Sequence, residues 1–422
     1  MYQTTVLNNG LKIITKELSD AKTVLLQVTF KAGAKFSPPG KGGLAHFMEH
    51  MVRNGSRKYP SPLLLLRAIE ELGGISNAET SKEDAHYWIK VASEDLEKAA
   101  DITFSLVTDP LLDQKELPGE KKVILEEIAR HNDQIGMLIS DEFHTLVFGD
   151  HSLGHRGLGY PETIRGFATQ DFLRFFSNFY LAQNAIVYAA GNLKHTQITE
   201  LAQKYFPQTS ERALPSYQPF QNASSGPQVR ILRKPSQQAV TVLGFLTFPK
   251  NFTEHIQEDI LTELINSKDR LPARLREKEH LAYSVGARYR QFQDASLVMA
   301  NGGFSLDKIK KAVQALTEEF QKVKENPIEK RELTKIKKIV EVGLLSSLEK
   351  PSGWVDFALF GNDFAGRPIE PEDYLEEIKK ISPEDVQRLA QKTFTPERAY
   401  LATVHESLEA SELEKILSQG LR

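Results

Sequence analysis

Apolar residues recur along this chain with two periods, and the switching between them marks out strands and helices. Residues 6–16 alternate around Asn9-Gly10, which predicts a hairpin. Residues 23–31 alternate with Val24, Leu26, Val28 and Phe30 on one side, as a strand with one buried face does. Leu44, Phe47, Met48 and Met51 then fall at i, i+3, i+4 and i+7, a helical stripe between the Gly42-Gly43 pair and an Asn54-Gly55 stop. A second amphipathic helix is predicted over 63–72, ended by Gly73-Gly74, followed by strands over 75–80 and 85–92. Further helices are expected over 94–107, from 118 through 130 into the 140s, and over 169–179. A glycine-rich turn at 151–159, a strand at 185–190 and a helix ending near Tyr205 complete the first half.

The pattern then restarts. Between Pro207 and Pro227 the chain turns to Pro, Ser, Gln and Asn, the composition of a linker. Beyond it, Thr241-Val242-Leu243-Gly244-Phe245-Leu246-Thr247-Phe248 repeats Thr23-Val24-Leu25-Leu26-Gln27-Val28-Thr29-Phe30 about 218 residues on, and Ile231-Leu232 repeats Ile13-Ile14 at the same spacing. Near the other end, Asp385, Arg388 and Ala399 answer Asp171, Arg174 and Ala185 about 214 residues on. The expectation is an α+β fold of two duplicated domains, each a mostly antiparallel sheet with helices packed on it. Their bounds are 1–210 and 227–422, with a linker at 211–226.

Composition narrows the chemistry. A chain of 422 residues, 40% hydrophobic and 26% charged, is ordinary for a globular protein with two or three domains. A net charge of -3 with interspersed signs offers no basic surface, so no nucleic-acid partner is expected. The start lacks the features of a signal peptide and no apolar run approaches a membrane span, which makes a cytoplasmic protein with no membrane partner the expectation. With no cysteine in the sequence, a thiolate nucleophile and a thiolate metal site are excluded, and any metal must be held by His and carboxylate.

Such a set sits on the first stripe helix. His46 and His50 lie four apart on the face opposite Leu44, Phe47, Met48 and Met51, so both imidazoles can reach one divalent ion. Glu49, one residue before the second His, is free to take a proton from a metal-activated water. This is the H-x-x-E-H order. At the 218-residue spacing the second half has Leu264, Ser267 and Lys268 in these places, so it is expected to hold no metal. Glu120 and Glu127, seven apart, share one face of a later helix, and on their own they are a solvated charged face.

Taken together, the H-x-x-E-H helix, the Glu120/Glu127 helix, the strand Gly74 to Ser81, the stretch from Phe179-Tyr180 through Asn184 to Gly191, and Leu275 to Ser284 resemble the inverzincins. These are the zinc peptidases that include pitrilysin, insulin-degrading enzyme and the mitochondrial processing peptidase, and the half-length, two-domain layout is similar to the last of these. The resemblance implies one catalytic zinc per chain on His46, His50 and Glu127, Glu49 as general base, and Glu120 orienting a ligand. It implies that peptide is added as a strand along Asn77, Ala78 and Glu79. Arg276 and Tyr283 would donate hydrogen bonds to the substrate and its oxyanion. It further implies a clamshell homodimer, or a heterodimer with a related chain, in which each site is completed by Arg276 and Tyr283 of the other chain. Arg53 and Asn54 depart from the family, which usually carries an aromatic residue and a lysine there. On the same face as Glu49, Arg53 would either pair with it and lower its basicity or sit in a subsite and favour acidic peptides. Two functions stay open, a zinc endopeptidase or oligopeptidase and a non-catalytic scaffold subunit of the same family. An intact base and ligand set points to the first.

Overall fold

The computed structural model describes residues 1–206, 213–215, 217–222 and 224–422. Positions 211, 212, 216 and 223 of the expected linker lie outside the described residues. The strands are β1 (Gln3–Val6), β2 (Lys12–Glu17), β3 (Thr23–Phe30), β4 (Ile75–Thr80), β5 (Ala85–Ala92), β6 (Ala185–Gly191), β7 (Gln228–Leu232), β8 (Ala239–Thr247), β9 (Ala282–Gln291), β10 (Ser296–Phe304) and β11 (Ala399–Val404). The helices are α1 (Leu44–Arg53), α2 (Pro62–Glu70), α3 (Leu96–Thr108), α4 (Leu117–Asp133), α5 (Ile135–Phe148), α6 (Pro161–Gly166), α7 (Thr169–Phe179), α8 (His195–Tyr205), α9 (Phe252–Asn266), α10 (Ile309–Glu325), α11 (Lys330–Ser347), α12 (Pro351–Ala365), α13 (Pro371–Lys380), α14 (Pro383–Thr393) and α15 (Ala410–Gly420).

Two compact units result, and neither is contiguous. The first comprises Met1–Arg130, His155–Gln218 and Leu345–Glu370; the second comprises His131–Gly154, Pro219–Leu344 and Pro371–Arg422. The expected bounds of 1–210 and 227–422 are therefore crossed twice, because each half of the sequence gives one helical segment to the other unit. The helix expected to run from 118 into the 140s is correspondingly two helices. They part at Gln134, whose backbone leaves the helical region at φ -92°, ψ 98°, just after Asn132-Asp133, a pair of weak helix formers.

The first unit is built on a six-stranded sheet of order β1-β2-β6-β3-β5-β4 and the second on a five-stranded sheet of order β7-β11-β8-β10-β9. In each sheet one pair is parallel, β2 with β6 and β7 with β11, and the others are antiparallel. With β1 set aside, the two orders correspond strand for strand, as duplication requires. The 218-residue spacing does not persist, however. By their first residues, α9 follows α1 by about 208 positions and β9 follows β4 by about 207. The partners of His46, Glu49 and His50 thus move from Leu264, Ser267 and Lys268 to the neighbourhood of Glu254, Gln257 and Glu258, because the loop before α9 is shorter than the loop before α1.

The exchanged helices explain strands that are buried on both faces. Val24, Leu26, Val28 and Phe30 enter the main core of the first unit with Phe47, Met48 and Phe104. On the other face Leu25 joins Ile14, Tyr188 and Ala190 against Val355 and Ala358 of α12. Lys31 anchors the helix through Asp363 at 2.7 Å and also pairs with Asp84, just before β5, at 2.9 Å. In the second unit α5 takes the corresponding place, with Ile139, Phe143 and Val147 packed on Val242, Leu246 and Ala402. A Cβ at residue 244 would lie 2.5 Å from the Phe143 ring, which accounts for a glycine in the middle of β8. Among the described residues, no helix is long and apolar enough to cross a membrane.

Candidate metal centre

Helix α1 is fixed at both ends. Gly43 caps its start at φ 92°, and a Cβ there would lie 2.7 Å from the Leu158 carbonyl oxygen, so the glycine-rich turn at 151–159 closes over the head of the helix. Thr163 reinforces that contact by donating its hydroxyl to the Gly42 carbonyl at 2.7 Å. Gly55 ends the helix at φ 129°. Leu44, Phe47, Met48, Met51 and Val52 are buried in the core, which sets the opposite face of α1 against α4 and β4.

His46, His50 and Glu127 converge there. Their candidate ligand atoms all lie within 4.8 Å of one another, and among the described residues they are the one group of His and carboxylate that does so. The Nε2 atoms of His46 and His50 are each 3.7 Å from Glu127 Oε2. That is too long for hydrogen bonds and close to the roughly 3.4 Å that separates neighbouring donors around a tetrahedral zinc with bonds of about 2.0–2.1 Å. The residues present therefore fit a zinc ion. His46 Nδ1 is buried and has no hydrogen-bond partner among the described residues; the ring lies edge-on to that of His50. His50 Nδ1 instead lies 3.0 Å from Glu120 Oε2, which places the proton on Nδ1 and leaves Nε2 free to face Glu127.

Charge favours a cation at this point. Burial, aided by the neighbouring His50, holds the His46 imidazole down to about 4, so it is neutral and its lone pair is available. Burial also works against charge on His50. The Glu120 hydrogen bond and the carboxylates of Glu49, Glu120 and Glu127 outweigh it and hold that ring above the usual histidine range. The His50 hydrogen bond keeps Glu120 below the usual carboxylate range. Glu49, 7% exposed, is pushed up by its burial, against the pull of the Thr80 hydroxyl that donates to Oε2 at 2.6 Å. A carboxylate raised in this way is a better proton acceptor at neutral pH.

Strand β4 runs beside the cluster, and among the described residues it pairs with β5 alone, which leaves its outer edge unpaired by them. It holds Asn77, Ala78 and Glu79: Ala78 is buried and its two neighbours are exposed. Arg53 forms no direct ion pair with Glu49, but against the upward push of burial its charge pulls the Glu49 carboxyl down. Arg53 Nη1 donates to Asn77 Oδ1 at 3.1 Å. Arg276 and Tyr283 belong to the second unit, the first in an irregular helical stretch (Ala273–Lys278) and the second on the edge strand β9. Tyr283 is 87% exposed, and Arg276 makes only a 3.3 Å surface pair with Glu277. Thr80, the donor to Glu49, was not foreseeable, since nothing in its spacing ties a strand end to a residue 31 positions earlier.

Comparison with known proteins agrees with this architecture. A family model described as Insulinase (Peptidase family M16) matches residues 12–160, and one described as Peptidase M16 inactive domain matches residues 167–340. An uncharacterized zinc protease of Rickettsia felis is 27% identical over 394 residues, covering 92% of this chain and 94% of its own. The zinc protease PqqE of Helicobacter pylori is 25% identical over 410 residues, covering 93% and 90%. The mitochondrial-processing peptidase subunit beta of Neurospora crassa is 31% identical over 222 residues, 53% of this chain and 45% of that one. The crystal structure of a protease from Helicobacter pylori has the same fold, with a TM-score of 0.87 at 23% identity over 96% of this chain and 99% of that one. The H-x-x-E-H helix and Glu127 fall within the first family model, the second covers β7 to β10 of the other copy, and the chain belongs to peptidase family M16, the insulinase family, as one of its half-size members.

Proposed function

We propose that the chain is a zinc-dependent endopeptidase or oligopeptidase acting on peptides or unfolded segments, with one zinc on His46, His50 and Glu127. The observation that carries this is the convergence of those three ligand atoms beside a buried carboxylate, Glu49, that is not among them. Relatives named zinc proteases that match over most of their length support it. A zinc ion in this set supplies Lewis acidity toward a water and the scissile carbonyl. Glu49, with Thr80 occupying one of its oxygens, accepts the proton of the attacking water and delivers it to the leaving amine. Glu120 holds the His50 ring in the tautomer that presents Nε2.

The test of the ligand set is Glu127→Gln, which should weaken zinc binding by more than about 100-fold because it removes the only anionic ligand. Full zinc occupancy of that variant by elemental analysis would take Glu127 out of the set.

The peptide would bind as an extra strand on the free edge of β4, along Asn77, Ala78 and Glu79, where backbone pairing is indifferent to sequence. In a complex with a non-hydrolysed peptide, a substrate seated elsewhere and a β4 edge still unpaired would rule this out. The stabiliser of the developing oxyanion would be Arg276 and Tyr283 from a second chain, in a clamshell dimer that encloses a chamber. Their exposure and scarcity of partners fit groups that wait for something outside their own unit. The dimer would be of two like chains. A pairing with a related chain is the alternative that the name of the processing-peptidase subunit brings with it.

A further inference from the structure

We infer that Arg53 makes the pocket next to Glu49 selective for an acidic side chain, glutamate above all, on the residue flanking the scissile bond. This selectivity presupposes the peptidase activity proposed above and concerns only which peptides that site prefers. The pocket, about 230 Å³ in volume, begins at Glu49 and His50 and runs between α2 and α3 along Leu65, Ile69 and Leu106. Its wall is mixed: beside these apolar side chains it carries the carboxylates of Glu49 and Glu120 and the polar Asn54, Ser76, Asn77 and Thr103. Among the described residues that line it, Arg53 is the one with a positive side chain.

Arg53 is half-buried as a residue, and at its exposed guanidinium end it donates its one hydrogen bond among the described residues, to the neutral Asn77 side chain. No described carboxylate forms an ion pair with it. Of the two carboxylates in the lining, Glu120 is engaged by the His50 ring, and Glu49 accepts the Thr80 hydroxyl while also being attracted by the Arg53 charge from beyond ion-pair distance. A guanidinium has five N–H donors in a planar fork that matches a carboxylate, so most of its capacity is unused. A side chain seated against Leu65 and Leu106 would exclude water from an ion pair with Arg53 and so strengthen it. A leucine in the pocket would cover the wall and leave the guanidinium further desolvated without a partner, and a lysine would be repelled. A glutamate lays two methylenes on the wall and brings its carboxylate to the fork, while aspartate covers less of the wall.

The experiment is a peptide series, identical except at the two residues flanking the cleaved bond, each varied in turn among Glu, Asp, Gln, Leu and Lys. kcat/KM is measured for the zinc-loaded wild type, Arg53→Gln and Arg53→Glu. Binding of the same peptides to the zinc-loaded Glu49→Gln variant is followed by fluorescence anisotropy. At one of the two positions the wild type should favour Glu over Gln by about tenfold, the size of one charge-assisted hydrogen bond. That ratio should fall to about one in Arg53→Gln, and Lys should overtake Glu in Arg53→Glu. Because each ratio is taken within one variant, a general loss of activity or folding cancels. Hydrolysis with the same ranking in all three proteins would overturn the selectivity while leaving the peptidase proposal standing. No hydrolysis of any peptide by the zinc-loaded wild type would overturn the peptidase proposal itself, and with it the selectivity.

Discussion

Replacing Glu49 with Gln is expected to lower kcat for peptide hydrolysis by about 1,000-fold or more while leaving one zinc per chain bound. The substitution is nearly isosteric, and the amide oxygen can still accept the Thr80 hydroxyl that now donates to Glu49 at 2.6 Å. It removes only the ability to take a proton. The ligand set is untouched, because the atoms that converge belong to His46, His50 and Glu127. Stability should not suffer, since a carboxylate at 7% exposure is costly to ionise and a neutral amide is not. Zinc by elemental analysis, melting temperature and turnover of a quenched peptide together check the result. Near-normal turnover would remove Glu49 from the role of base. A wild-type chain that binds zinc yet turns over no peptide would favour the scaffold-subunit alternative.

The features that could be foreseen are those encoded locally. Helix α1 is one: its apolar stripe, the glycines before it and Gly55 after it lie within one short stretch, from Gly42 to Gly55, and both histidines follow from the period of a helix. Strands β4 and β5 run over the expected residues because turn residues bracket them. The duplication was legible because β3 and β8 are similar apolar runs, Thr23 to Phe30 and Thr241 to Phe248. The register near α9 was not, because a shorter loop leaves no trace in a spacing taken from distant strands. Helix α12 was invisible in another way. Nothing near Leu25 announces that its face will be covered by Val355 and Ala358, more than 300 positions later. Glu120 and Glu127 had the same difficulty in reverse: on their own helix they are surface charges, and only the arrival of α1 turns them into neighbours of two imidazoles. Arg53 could be placed on the face of Glu49, but only the fold shows that it is tied to Asn77 instead.

Mixing two inactive chains should restore activity if the site is completed across a dimer. In the proposed arrangement Tyr283 of one chain serves the zinc site of the other. Tyr283→Phe should be inactive or nearly so, because loss of a hydroxyl that stabilises a developing oxyanion costs about 100- to 1,000-fold. Removing this hydroxyl should leave the fold intact, since Tyr283 is 87% exposed at the edge of its sheet and packs in no core. Glu49→Gln should be inactive for an unrelated reason, loss of the proton acceptor. When equal amounts of the two variants exchange subunits at random, half of the dimers are mixed, and each mixed dimer has one site with Glu49 from one chain and Tyr283 from the other. The second site in that dimer has neither. Activity should therefore rise from near zero to about a quarter of the wild-type value, the fraction of sites with both groups intact under random pairing in a two-fold dimer. Native mass spectrometry of the mixture verifies the exchange, and the recovered rate should grow as mixed dimers accumulate. If mixed dimers form and no activity returns, Tyr283 must serve the zinc site of its own chain, and enclosure by a second chain would have no part in the chemistry.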